Sequence, residues 1–148
     1  MTRVMPFLWY NNQAGEALRF YSEVFNVPVQ GADNGDDIFL GSLSLPGLEL
    51  MLFNGGPHHE FNHAISLFVL VETQEEVDHL WDALTADGGE GGRCGWLTDK
   101  FGVSWQVVPE ALGRLMSDSD RERAERVRNA MLGMDKLIVA DLQAAYNG

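Results

Sequence analysis

Ala17, Phe20, Tyr21 and Val24 recur at i, i+3, i+4 and i+7, the spacing that puts apolar side chains on one face of a helix. Val77, Leu80, Trp81 and Leu84 repeat that stripe at a constant offset of 77 − 17 = 60 positions. Each stripe carries a small or branched residue, then an apolar–aromatic pair, then a branched residue. Each also follows a short apolar run, VMPFLWY at 4–10 and AISLFVLV at 64–71, and precedes further strand-like runs. A duplicated strand–helix–strands unit is the economical reading. Chance likeness between two generic amphipathic helices is the competing one.

The first copy reads as a strand over 4–10, an N-cap at Asn12, the helix, and Pro28 beyond its end. GADNGDD is a turn or loop. IFLGSLSL at 38–45 and LELMLF at 48–53 read as strands joined by a Pro46-Gly47 turn. In the second copy Thr73 and Glu76 form a T-x-x-E capping box before the helix. A glycine-rich turn, GGEGG, and RCGWLTDKFG lead to the strand VSWQVVP at 103–109, with Val103–Val108 matching Leu48–Phe53. Asp99 and Lys100 read as a turn pair. Beyond Pro109 the pattern is helical: Ser119 and Glu122 suggest a capping box, and Ala124, Val127, Met131 and Met134 form an apolar stripe. Glu122 and Arg126 form an i,i+4 pair on the wet face. Ile138, Leu142 and Ala145 mark a last short helix. The arginines from Arg114 onward are interleaved with acids and read as a solvated face. Such a tail draws its stability from packing on its own β-domain or on a partner.

The chain has 148 residues, 45% apolar and 22% charged, enough for one domain with a core. The expected organisation is a single domain in three parts, 1–56, 57–109 and a helical extension over 110–148. A net charge of −12 argues against nucleic acid and against an anionic membrane surface. No apolar run approaches the ~20 residues of a membrane span, and the N-terminal run is too short for a secretory signal. Cys94 is the only cysteine, so no intrachain disulfide forms, and a reducing cytoplasm is the expected location.

HEFNH, His59 to His63, matches the H-E-x-x-H pattern of zinc proteases. That chemistry needs both histidines on one helical face, with the glutamate as general base. Here Asn54-Gly55-Gly56-Pro57 and a strand-like run flank the motif, so a histidine-rich loop is expected. His58, His59 and His63 remain the weak alternative for a metal, since imidazole suits zinc and nickel.

Two βαβββ units are the plan of the glyoxalase/bleomycin-resistance/dioxygenase superfamily, also called vicinal oxygen chelate. PFLWYNNQAGEALRFYSEVF, LFNGGPHHEFNHAISLFV, GGRCGWLTDKFGVSWQVVP and the tail ending DLQAAYNG resemble its PhnB-like branch, often labelled 3-demethylubiquinone 3-methyltransferase. The resemblance implies an α+β fold of paired βαβββ modules, each a curved sheet cupping a cavity, commonly as a homodimer. It also implies, for metal-dependent relatives, ligands on the first and last strands of each module, usually His and Glu, holding a divalent ion. By that resemblance the matching positions here are Gln106, Met51, Pro6 or Phe7, and Ile65 or Ser66. Of these only Gln106 offers a ligand, and hard divalent ions want several charged or imidazole donors. No cofactor is therefore expected, with a divalent metal as the alternative. The methyltransferase label is not matched by a nucleotide-binding turn: GGEGGRCG follows a helix and precedes short strands, the reverse of the usual order.

The expected site is an aromatic cavity with few polar groups, lined by Trp9, Leu50, Phe53, Asn54, Phe61, Ser66, Trp96, Trp105 and Gln106. Trp9 and Trp105 are equally readable as core. Arg93 beside Cys94 is a feature that can lower a thiol pKa, though a lone cysteine near a glycine turn reads as structural or incidental. The leading function is binding of a small molecule, or a metal-independent enzyme-like role, by a homodimer. The alternatives are a divalent-metal lyase, isomerase or dioxygenase, and an assembly protein with a vestigial cavity.

Overall fold

The computed structural model describes residues 1–30 and 38–148. The loop expected over GADNGDD lies outside them. Two compact units follow one another in the chain, Met1–Phe61 and Asn62–Gly148, and the residues after Pro109 belong to the second.

The first unit runs β1 (Phe7–Tyr10), α1 (Ala14–Phe25), β2 (Val29–Gln30), β3 (Leu40–Leu45) and β4 (Leu48–Asn54). Its sheet has the order β1-β4-β3-β2, with β1 parallel to β4 and the other pairs antiparallel. The second unit repeats it with β5 (Leu67–Val71), α2 (Gln74–Thr85), β6 (Glu90–Gly91), β7 (Trp96–Thr98) and β8 (Ser104–Pro109), in the order β5-β8-β7-β6. The fold is α+β, two βαβββ-like mixed four-stranded sheets with C-terminal helices. Phe7 pairs with Met51, and Phe68 with Gln106, so Val103–Val108 and Leu48–Phe53 are equivalent strands.

Alternation decides what each strand buries. Leu8, Tyr10, Leu43, Leu50 and Leu52 are buried on the side that α1 covers, with Ala17, Leu18, Tyr21 and Val24. On the corresponding side of the second sheet, Val71, Leu97, Trp105 and Val107 meet Val77, Leu80 and Leu84 of α2. Leu18 was not in the expected stripe, which is wider than four positions.

Several expected boundaries move. The strands expected at 4, 38 and 64 begin at Phe7, Leu40 and Leu67, where the register with β4 or β8 begins. His63 and Ala64 instead form a turn. Asn12 does not cap α1: it is left-handed (φ 59°), and the N–H of Ala14 donates to Asn54 Oδ1 at 2.9 Å, from the end of β4. Thr73 and Glu76 do form the capping box, and the N–H groups of Thr73 and Glu72 hold the Glu76 carboxyl below the usual range.

The extension forms α3 (Glu110–Met116), α4 (Arg121–Leu132) and α5 (Val139–Asn147). Asp120, not Ser119, caps α4, accepting from the N–H groups of Glu122 and Arg123. Arg126 donates to the carbonyls of Ala145 and Tyr146 at 2.9 Å each. It therefore satisfies terminal carbonyls of α5. Val127, Leu137 and Leu142 are fully buried with Val108, Leu112 and Leu115, so the apolar stripes are occupied within the chain. The segment between α4 and α5 is fastened to the second sheet. The N–H groups of Cys94 and Gly95 donate to Met134 and Asp135 at 2.8 Å each. Gly95 has φ +84°, and a Cβ there would stand 2.9 Å from the Val107 carbonyl and 3.1 Å from Leu137, so this seat requires glycine. Gln74 in α2 donates to the Leu137 carbonyl and accepts from the Val139 N–H. Lys136 bonds Asp78 at 2.8 Å, and that bond, with a second from Gln74, lowers the Asp78 pKa.

Candidate functional site

Side chains on the face of the second sheet turned away from α2 follow from the register. Gln106 lies beside Phe68 on β5 and Trp96 on β7, and Leu70 lies beside Val108 one pleat further on. The extension adds a second wall to this face. Glu110, Leu112, Gly113 and Met116 of α3 and Met131 of α4 join those residues and Cys94 around a pocket of about 510 Å³. Its walls are mostly aromatic and aliphatic, with a thiol, an amide and a carboxylate as the polar groups. This is the composition of a small-molecule site.

Gln106 is held in place. Its Nε2 donates to Ser66 Oγ at 2.9 Å. Ser66 is not its strand partner, since Phe68 is, but the hydroxyl reaches it from the residue before β5. On the opposite side of β8, Trp105 is 1% exposed and its indole N–H donates to Asp99 Oδ2 at 2.9 Å. Asp99 Oδ1 accepts from the N–H groups of Phe101 and Val103. The buried carboxylate thus organises the DKFG turn and anchors Trp105 in the core, outside the pocket.

The other expected lining residues are elsewhere. Leu50 is fully buried beneath α1, because on β4 it shares a face with Leu52. Asn54 divides its amide between the Ala14 N–H and the Ile38 carbonyl, a structural role. Trp9 donates to the Gly56 carbonyl at 2.9 Å and meets Phe53 and His59 edge-on. A Cβ on Gly55 would fall 2.3 Å from the Trp9 ring, so the first glycine of FNGGP makes room for the indole. Phe61 packs edge-on against Tyr10. Trp9, Asn54 and Phe61 are residues of the first unit; Trp96 and Gln106 come together in the second, with Ser66 behind them. Phe68, Leu70 and Val108 were missed, although the period of two counted from Gln106 selects Val108 at once. Glu110, Leu112, Met116 and Met131 carry only a helical spacing, which does not say what the helix covers.

HEFNH is not helical. His59 lies against Trp9, and His63 Nδ1 hydrogen-bonds Ser104 Oγ at 2.7 Å. Among the described residues no three or more His, Cys, Asp or Glu side chains are grouped to hold a metal ion. The first- and last-strand positions do not supply a site either: one hydroxyl and one amide, bonded to each other, are a poor donor set for a divalent ion. Among the described residues no helix is long and apolar enough to cross a membrane.

The family model described as 3-demethylubiquinone-9 3-methyltransferase matches residues 2–108. The chain belongs to that family. Among solved structures, this member of the 3-demethylubiquinone-9 3-methyltransferase family is similar to the PhnB protein of Bacillus cereus, with 29% identity, a TM-score of 0.59, and 73% of this chain and 99% of that one covered. A protein of Pseudomonas aeruginosa is 23% identical, with a TM-score of 0.63 over 74% of this chain and 98% of that one. A glyoxalase/bleomycin resistance protein from Albidiferax ferrireducens is 16% identical, with a TM-score of 0.53 over 73% and 98%; it shares the fold. No curated protein matches the chain. The helices that complete the pocket lie beyond the residues that the family model matches.

Proposed function

We propose that this PhnB-like protein of the glyoxalase superfamily binds a small, largely apolar molecule in the pocket between its second sheet and its C-terminal helices, without a metal ion. The observation that carries this is Gln106, tied to Ser66 on the pocket wall at the position where the superfamily resemblance implies a metal ligand. The glycine-rich segment before β7 follows α2, so it does not form the strand–turn–helix on which a nucleotide cofactor is usually held. Methyl transfer is therefore not part of this reading, nor is metal-dependent lyase, isomerase or dioxygenase chemistry.

The working form is a homodimer in the cytoplasm. Phe7, Phe39 and Leu40 are exposed on the first unit, with Phe7 and Phe39 packed around Phe53. An aromatic patch of this kind on a sheet face supports a surface that a second copy of the chain covers. The single cysteine fits a reducing compartment.

The binding test uses chelated, tag-free protein and the neutral dye Nile red. The dye's emission should rise on binding, and Leu70→Trp, which fills the pocket from its exposed side, should abolish the rise. Unchanged binding in that variant, or a stoichiometric metal ion required for binding, would defeat the reading.

A further inference from the structure

The charge on the pocket wall has one sign. Glu110 is the only ionisable lining residue besides the Cys94 thiol, and no Lys, Arg or His lines the pocket among the described residues. Gln106 gives an amide hydrogen to Ser66 and keeps its carbonyl oxygen as an acceptor. Phe68 and Trp96 contribute aromatic rings, whose faces attract cations and repel anions. The whole chain reinforces this, since a net charge of −12 raises the local concentration of cations and lowers that of anions. Met116 and Met131 complete the wall with flexible, polarisable side chains that adapt to an irregular apolar body.

We infer that the pocket selects a lipophilic cation, an apolar ring system or chain carrying one ammonium-type group, with the charge near Glu110 and the apolar part against Phe68, Trp96 and the two methionines. This rests on the reading of the pocket as a ligand site, and it names the class of ligand. Glu110 opens α3, the first helix of the extension, so the selecting charge lies outside the part of the chain that the family model covers. The sheet supplies the apolar floor, and the extension supplies the specificity.

Three probes of one skeleton test this: naphthylmethylamine, naphthylmethanol and naphthoate, titrated calorimetrically into the 148-residue chain at neutral pH. The amine should bind about tenfold more tightly than the alcohol, and naphthoate should bind more weakly than either. Glu110→Gln should bring the amine to the affinity that the alcohol has for the same variant. Leu70→Trp should remove all binding. Equal affinities for amine and alcohol, a preference for naphthoate, or equal losses for both probes in Glu110→Gln would overturn charge selection while leaving the pocket reading intact. No binding by any probe, or binding indifferent to Leu70→Trp, would overturn the pocket reading and this inference with it.

Discussion

Trp105 and Gln106 are consecutive residues of β8 that serve opposite faces of one sheet: the indole is locked to Asp99 in the core, and the amide is held by Ser66 at the pocket. Trp105→Ala should cost ~3–5 kcal/mol, the range for removing a large buried aromatic side chain. Gln106→Ala should cost little stability and change ligand affinity instead. Urea melts and Nile red titrations of the two variants measure both quantities. The reverse ranking in the melts would mean that β8 is turned over.

Asn54 should prove structural. Asn54→Ala removes the acceptor for the Ala14 N–H and the donor to the Ile38 carbonyl, and should destabilise the protein by about 1–2 kcal/mol. Asn54→Asp keeps an acceptor at the start of α1, adds a favourable negative charge there, and should recover part of the loss. Urea midpoints check this, and an alanine variant as stable as the parent would contradict it. Nile red binding in the second unit should be the same in both variants.

Acid should loosen the helical extension. Asp118 accepts from the backbone N–H of Asp120 and from the Tyr146 hydroxyl, and these two bonds, in that order, hold its pKa below the ordinary carboxylate value. A carboxyl lowered in the folded state contributes stability that is present above its unfolded pKa, ~3.9, and is lost as the pH falls through the lowered folded value. Tyr146→Phe should therefore be less stable than the parent at neutral pH, and the gap should narrow on acidification through and below the carboxylate range. Urea midpoints of both proteins against pH give the answer. A gap independent of pH would show that the hydroxyl does not act through Asp118.

Light scattering should find the 148-residue chain as a dimer. Phe39→Glu and Phe7→Glu, at residues 73% and 52% exposed, should shift it to monomer without loss of helix content. A monomeric parent protein at micromolar concentration would sink the proposal. Truncation after Pro109 tests a different property. It uncovers Val108 and removes Val127, Leu137 and Leu142 from a packed cluster, so the second unit should become less stable. Calorimetry showing an unchanged melting temperature would mean that the extension is not integral to that unit.

Periodicity in the sequence suggested a duplicated strand–helix–strands unit, because a stripe at i, i+3, i+4 and i+7 and alternation of period two are local consequences of backbone geometry; its paired βαβββ form was what the resemblance to the superfamily implied. The helices, most of the strands, the Thr73–Glu76 capping box and the opposite facing of Trp105 and Gln106 all rest on spacing that the chain displays in one dimension. Partners brought together from afar do not. Nothing near Ala14 reveals that Asn54, forty residues away, supplies its cap, nor does anything near Gln106 point to Met131 across the pocket. Leu50 and Asn54 looked like lining residues because composition cannot tell which face of β4 the helix covers. Only the packing of α1 on one side, and of the extension on the second sheet, divided the apolar residues into core and pocket, since burial depends on which surfaces meet and that is set by chain reversals rather than by neighbours in sequence.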